Sequence, residues 1–206
     1  VNEFKWTTNL NVSFNRNKIL KLGTENAPIG GYETYGDFNR LEVGQPIGAL
    51  FGYIYDGVYM TEQELNSQPK HATSEIGTAR MVDVNNDKKI DADDRTIIGN
   101  PTPDAIFGMT NEFQYKNFDL SILLGGDIMN ANYENTENLD GVFNVRKYVQ
   151  DRWRSPENPG NGIVPRTKSG TTELFRLGHS GQVYDASYLA IKNVTLGYTI
   201  PFTPNH

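Results

Sequence analysis

The stretch "FKWTTNLNVSFN", Phe4 to Asn15, carries the alternation that decides the architecture. Phe4, Trp6, Leu10, Val12 and Phe14 are apolar, with Thr8 the weak member, while Lys5, Thr7, Asn9, Asn11, Ser13 and Asn15 between them are polar. Successive strand side chains point to opposite faces, so the pattern predicts a strand over 4–15 with one apolar and one wet side. A helix would scatter the same residues round its circumference.

Three further runs repeat the signal. Phe107, Met109, Phe113 and Tyr115 alternate with Gly108, Thr110, Glu112 and Gln114; after Lys116-Asn117 the alternation resumes with Phe118, Leu120, Ile122 and Leu124. Two alternating runs split by two turn-tolerant residues predict a hairpin of strands 106–115 and 118–126, although Lys-Asn is a weaker turn than Asn-Gly. "YLAIKNVTLGYTIP" predicts a last strand over 188–200, stopped by Pro201. Its faces are less clean, because Lys192 shares parity with Val194, Leu196 and Tyr198.

The connections are unequal. Residues 16–105 and 127–187 are long, whereas one two-residue turn joins the middle strands. If the four strands form an antiparallel meander, both long connections fall at one end and the short turn at the other, the asymmetry of bacterial outer-membrane barrels. Phe4, Trp6, Phe113, Tyr115, Phe118 and Tyr198 then gather at the short-turn end, and Phe14, Phe107 and Tyr188 at the far end. Two such rings of aromatics suit two membrane–water interfaces; cross-strand pairing in a soluble sheet would use the same residues, and pattern alone leaves both open. Within the connections, Asp56-Gly57 in "FGYIYDGVYM" predicts a hairpin turn, and Val145, Tyr148, Val149 and Trp153 predict a short amphipathic helix.

Composition narrows the function. A 206-residue chain with 37% hydrophobic residues is lean for a compact soluble domain. Its net charge of −6 and lack of a basic stripe argue against nucleic acid. Without cysteine there is no disulfide or thiolate metal site, which suits an exported Gram-negative protein. No apolar run reaches the roughly 20 residues of a spanning helix, but barrel strands need only about 9–11. "VNEFKWTTNL" has neither an initiator Met nor a signal-peptide pattern, so the chain is expected to be an internal piece of something longer.

Four blocks in order, "GYIYDGVY", "DVNNDKKIDADDRTIIGNPTPDAIFGMTNEFQYKNFDLSI", "DRWRSPENP" and "SYLAIKNVTLGYTIP", resemble the SusC/RagA-type TonB-linked outer-membrane transporters over nearly the whole chain. The resemblance implies an all-β fold: antiparallel strands of a partial outer-membrane β-barrel, from the C-terminal part of a barrel domain, with long extracellular loops. It implies import of glycans, or in some members peptides, with a SusD-like surface lipoprotein as partner and the TonB complex supplying energy. The plug domain of such proteins has no counterpart in these residues. Four strands cannot close a barrel of about 22, so this chain by itself is expected to supply wall and loops rather than transport. The competing class is a soluble, calcium-stabilised β-rich carbohydrate-binding module, which detergent dependence of the parent protein would separate from the first.

"DVNNDKKIDADD", Asp83 to Asp94, has calcium-loop spacing. Asp83, Asn85, Asp87, Asp91 and Asp94 supply side-chain oxygens, the Lys89 carbonyl falls at the seventh place, and apolar Ile90 at the eighth. Lys88 stands where such loops want glycine, and a left-handed backbone costs it about 1–2 kcal/mol. The spacing favours a structural calcium-type loop over an ion-free Asx-rich turn. Enzyme readings fail: His71, His179 and His206 lack metal-ligand spacing and read as solvated surface residues, "GHSGQ" lacks the second glycine of a nucleophile elbow, and Thr167 replaces the glycine a P-loop requires. No catalytic residue is expected. Tyr32, Tyr35, Tyr53, Tyr55, Tyr59 and Trp153 could stack on sugars, but large rings more often fill the cores of the loops that carry them.

Overall fold

The computed structural model describes residues 4–30, 38–129, 132–133, 146–167 and 173–201. In chain order its strands are β1 (Phe4–Ser13), β2 (Ile29–Gly30), β3 (Arg40–Leu41), β4 (Leu50–Gly52), β5 (Tyr55–Val58), β6 (Ala79–Met81), β7 (Thr96–Gly99), β8 (Ala105–Tyr115), β9 (Phe118–Ile128), β10 (Asn132–Tyr133), β11 (Val183–Tyr184) and β12 (Tyr188–Tyr198). The chain divides into two units. One comprises Val1–Arg16, Thr102–Asn130 and Asp185–His206; the other, Asn17–Pro101 and Ala131–Tyr184, consists of the two long connections.

The first unit is a single antiparallel sheet in the order β1-β8-β9-β12. Tyr115 pairs with Phe118 across the Lys116-Asn117 turn, where Lys116 takes φ +53° and the Asn117 carbonyl accepts the Thr199 N–H at 2.8 Å. Register puts Ser13, Ile106, Asp127 and Tyr188 in one row at the opposite end. The chain therefore leaves and re-enters the sheet at that end for both insertions.

Register also explains the untidy parity of the last strand. A bulge between Ile191 and Asn193 inserts Lys192 without a partner, so Leu189 and Ile191 join Val194, Leu196 and Tyr198 on one face. The Lys192 stem lies over Gly125 on the other face, with its ammonium 5.0 Å from the Tyr188 ring centroid. Tyr188 consequently faces the polar side with Asp127, and does not join the far aromatic ring expected of it.

The second unit builds its own core from both insertions. Tyr53, Ala79, Met81 and Ile90 from the first pack with Val149, Val164, Leu174 and Phe175 from the second. Main-chain bonds stitch the two together: Tyr53 N–H donates to the Gly178 carbonyl at 2.8 Å and Ser180 N–H to the Tyr53 carbonyl at 2.9 Å.

Two local expectations are corrected here. Asp56-Gly57 is no hairpin turn: β4 pairs with β7 and β5 with β6, and Gly57, at φ +100°, lies in a register shift inside β5. A positive-φ glycine within a strand makes a bulge when its flanks have better partners elsewhere. The helix expected around Tyr148 is a five-residue 3-10 helix, Lys147–Asp151, with Val149 and Trp153 buried; Val145 lies outside the described residues. An α-helix of six residues, Glu62–Ser67, stands where none was expected, capped by the Thr61 hydroxyl accepting from Glu64 N–H.

Candidate functional site

The sheet carries the most demanding surface. One face is composed of Phe4, Trp6, Leu10 and Val12 on β1, Phe107, Met109, Phe113 and Tyr115 on β8, Phe118, Leu120, Ile122 and Leu124 on β9, and the five β12 residues named above. Leu10 is 64% and Leu196 71% exposed, so nothing among the described residues covers them. Each such side chain left in water forgoes about 1.5–3 kcal/mol of burial, and together they exceed the ~5–15 kcal/mol that stabilises a whole domain. The face requires an apolar partner beyond the described residues. Strands of 10–11 residues, rising about 3.3 Å per residue and tilted about 40°, project to roughly the 25 Å of a membrane-spanning apolar band. Among the described residues no helix is long and apolar enough to cross a membrane.

Aromatics order this face. Phe4, Tyr115, Phe118 and Tyr198 form one row at the short-turn end, with Trp6 and Phe113 in the next. Trp6 stacks on Phe113 at 5.8 Å and Phe118 meets Tyr198 at 4.7 Å. The opposite face carries Lys5, Asn9, Glu112, Gln114, Asp119 and Ser121 among glycines and threonines. At mid-strand, Thr8 and Asn111 interrupt the apolar face, and Asn111 is only 9% exposed. Its Oδ1 accepts from Thr8 Oγ1 at 2.7 Å and from Trp6 Nε1 at 3.1 Å. The sequence hints at this pair only through Thr8, the weak member of the alternation.

The loop at 83–94 is ordered by its own side chains. Asp83 accepts from the N–H groups of Asp87 (3.2 Å) and Lys88 (2.8 Å), and Asn85 also accepts from Asp87 (2.9 Å). Asp87 accepts from Lys89, and Asp91 from Asp93. Asp94, fully buried, accepts from Val84 and Asp91 N–H, both at 2.8 Å, closing the loop's ends and capping the 3-10 turn Ala92–Asp94. Lys88 sits at φ +70°, the left-handed geometry expected at the glycine place, and Ile90 is buried in the insertion core. Oxygen donors are what calcium takes, but here these side chains spend their oxygens on the loop's own N–H groups. Among the described residues no group of three or more acidic or histidine side chains stands close enough to hold a metal ion.

The remaining candidates are structural. Tyr53, Tyr59 and Trp153 are buried, and Tyr55 packs its ring against Phe175 and His179; Tyr32 and Tyr35 lie outside the described residues. Burial pushes the Tyr59 phenol up to about 12, and its hydroxyl donates to the Pro69 carbonyl at 2.5 Å. His179 corrects the surface expectation: it is buried, and burial lowers its pKa to about 3. Its Nδ1 accepts from Gly181 N–H at 3.1 Å, which assigns the proton to Nε2, 3.2 Å from the Phe175 carbonyl. His71, half-buried, bonds locally to Thr73, and His206 lies outside the described residues.

No family model matches the chain. Curated relatives do. It is 33% identical over 204 residues to TonB-dependent receptor P26 of Formosa agariphila, an alignment covering 96% of this chain and 20% of the relative. It is 27% identical over 212 residues to TonB-dependent receptor SusC of Bacteroides thetaiotaomicron, covering 96% and 19%. The backbone is similar to a chain of the RagAB peptide transporter, with a TM-score of 0.68 at 20% identity over 97% of this chain and 21% of that one. The chain thus spans about a fifth of the relatives it matches, and these are receptors and a transporter rather than enzymes. With an antiparallel open sheet, an unpartnered apolar face and matches over nearly its whole length, this chain is a SusC/RagA-type transporter segment.

Proposed function

We propose that the chain supplies four adjacent wall strands and two outer connections of a TonB-dependent transporter in the outer membrane of a Gram-negative bacterium. The observation that carries this reading is the uncovered apolar face, which lipid covers without any protein partner. The polar face then lines the lumen, and both edges of the sheet, β1 and β12, pair with neighbouring wall strands. In this reading the solute is a glycan or a peptide, delivered with a SusD-like surface lipoprotein, and TonB drives release through parts of the protein outside this chain. A soluble carbohydrate-binding module would leave the same face in water.

The test uses the full-length parent protein. Membrane fractionation is expected to find it in the outer membrane, detergent-soluble, and co-purifying with a lipoprotein through a tag on either partner. Uptake of labelled oligosaccharide or oligopeptide should stop when TonB is deleted. A parent protein that stays soluble and monodisperse without detergent would overturn the reading.

We propose as a second function that the 83–94 loop takes up calcium in a structural role, with Asp83, Asn85, Asp87, Asp91 and Asp94 turning in from the separated positions they hold here as side-chain ligands and the Lys89 carbonyl as the sixth. Lys88 at positive φ favours this, since the turn has the hand the ion-binding loop needs. Calorimetry with calcium against magnesium decides it: uptake at millimolar calcium supports the role, and none overturns it.

A further inference from the structure

The insertion unit contains a cleft of about 460 Å3 lined by Arg152, Trp153, Arg154, Arg166 and Thr167. Three arginines line it in a chain whose net charge is −6. Arg152 and Arg154 pair with no carboxylate among the described residues. Arg152 donates to the Val149 carbonyl at 3.3 Å, and Arg154 to the carbonyls of Arg152 and Gln150. Those bonds orient the side chains and leave most of their N–H groups without an acceptor among the described residues.

The cleft wall is held from behind. Trp153 N–H donates to the Val164 carbonyl at 2.9 Å and Arg166 N–H to the Gly77 carbonyl at 2.8 Å. The Trp153 ring lies against Gly77, where a Cβ would come within 2.4 Å of it, so no other residue fits at that position. Arg166 pairs through Nη2 with Glu75, but its Nε–H has no acceptor among the described residues. The indole N–H of buried Trp153 has none either. A buried N–H without an acceptor is a rarity in folded proteins, and two occur in side chains that line one cleft.

The guanidinium charge of Arg152 and Arg154, without a carboxylate among the described residues, asks for an anionic acceptor. The planar fork of arginine matches a carboxylate, which accepts two parallel N–H bonds. We propose that this cleft binds a carboxylate group of an incoming solute, so that the insertion unit selects acidic ligands. The volume admits about one or two monosaccharide or amino-acid units. The proposal deepens the transport reading and rests on it for the route by which solute arrives; the binding event does not depend on it.

The test is calorimetry on full-length protein in detergent at low salt. The probes are trigalacturonate, neutral galactotriose, and a neutral tripeptide with a free or amidated C-terminus. Binding of trigalacturonate without galactotriose assigns a uronate, and binding of the free but not the amidated peptide assigns a peptide terminus; either supports the proposal. Affinity should drop at least tenfold in Arg152→Gln and Arg154→Gln, whose side chains are half-buried and exposed and whose loss spares the core. Trp153 fluorescence should shift on binding. Uncharged probes binding as well as charged ones, no binding at millimolar probe, or unchanged affinity in both variants would overturn it. Uptake assays on the same variants separate this outcome from failure of the transport reading, because a transporter of neutral solutes would still import.

Discussion

Thr8 and Asn111 face each other across β1 and β8 at mid-strand, joined by a 2.7 Å hydrogen bond in a face that is otherwise apolar. Trp6 donates to the same Asn111 oxygen. In hydrocarbon, removing that oxygen strands two donors, so Asn111→Ala should cost about 1–3 kcal/mol of refolding stability in lipid. Replacing all three polar partners together, as Trp6→Phe, Thr8→Val and Asn111→Leu, should recover most of the loss. If the single and triple variants refold with equal midpoints, the network contributes nothing.

The two faces of β1 make opposite demands. Arginine at Leu10, near mid-strand, should destabilise the membrane-embedded protein by about 2–4 kcal/mol, whereas arginine at Asn9 should cost far less. Urea refolding into lipid vesicles compares them directly, and equal tolerance would reverse the assignment of faces.

His179 gives the insertion unit a pH dependence with a definite sign. Burial depresses its folded pKa from 6.5 to about 3. Between those values the unfolded chain binds a proton that the folded chain refuses, so stability is full above about 6.5 and falls as pH drops toward 3. His179→Asn keeps an acceptor for Gly181 N–H and should flatten the slope by about one proton. Urea midpoints for this unit from pH 7 to pH 4, in wild type and variant, supply the measurement; parallel slopes would contradict it.

Lys88 holds a left-handed backbone at φ +70°. Lys88→Gly should relieve about 1 kcal/mol of strain and slow proteolysis of the 83–94 loop. Asp94→Ala should act the other way, since Val84 and Asp91 both lose their buried acceptor. Limited proteolysis ranks the three proteins, and any order other than glycine variant, wild type, alanine variant counts against the loop's described geometry.

The sheet is legible because period-2 alternation survives in β1, β8 and β9 and on either side of the bulge in β12, and a one-residue slip would turn the apolar set to the other face. Lys192 was the exception: a bulge adds one residue, and parity counted from sequence then inverts for everything before it. The insertions were harder to read. Asp56-Gly57 carries the residues of a hairpin, but β5 finds its partner in β6, more than 20 residues away, and such pairing leaves no local trace. His179 looked like a surface residue because a single imidazole has no periodic context; its burial comes from Tyr55 and Phe175, the first of which lies in the other insertion. The arginine cleft was equally hidden, since Arg166 reaches it from beyond the Pro/Gly-rich turn that follows Arg154.

The insertion core has a consequence for the order of events during biogenesis. Among the described residues, half of those buried in it precede the β8–β9 hairpin in the chain and half follow it, and the Tyr55–Ser180 bond spans 125 positions. While the chain emerges from N- to C-terminus, the first insertion must wait with Tyr53, Met81 and Ile90 unsheathed until Phe175 and Gly178 arrive. That interval is the period in which a holdase has most to shield. Once assembled, the same interleaving makes the unit resistant to a single cut: a protease that nicks one insertion leaves both fragments clasped by the other, so cleavage should show on a denaturing gel and not in the native mass.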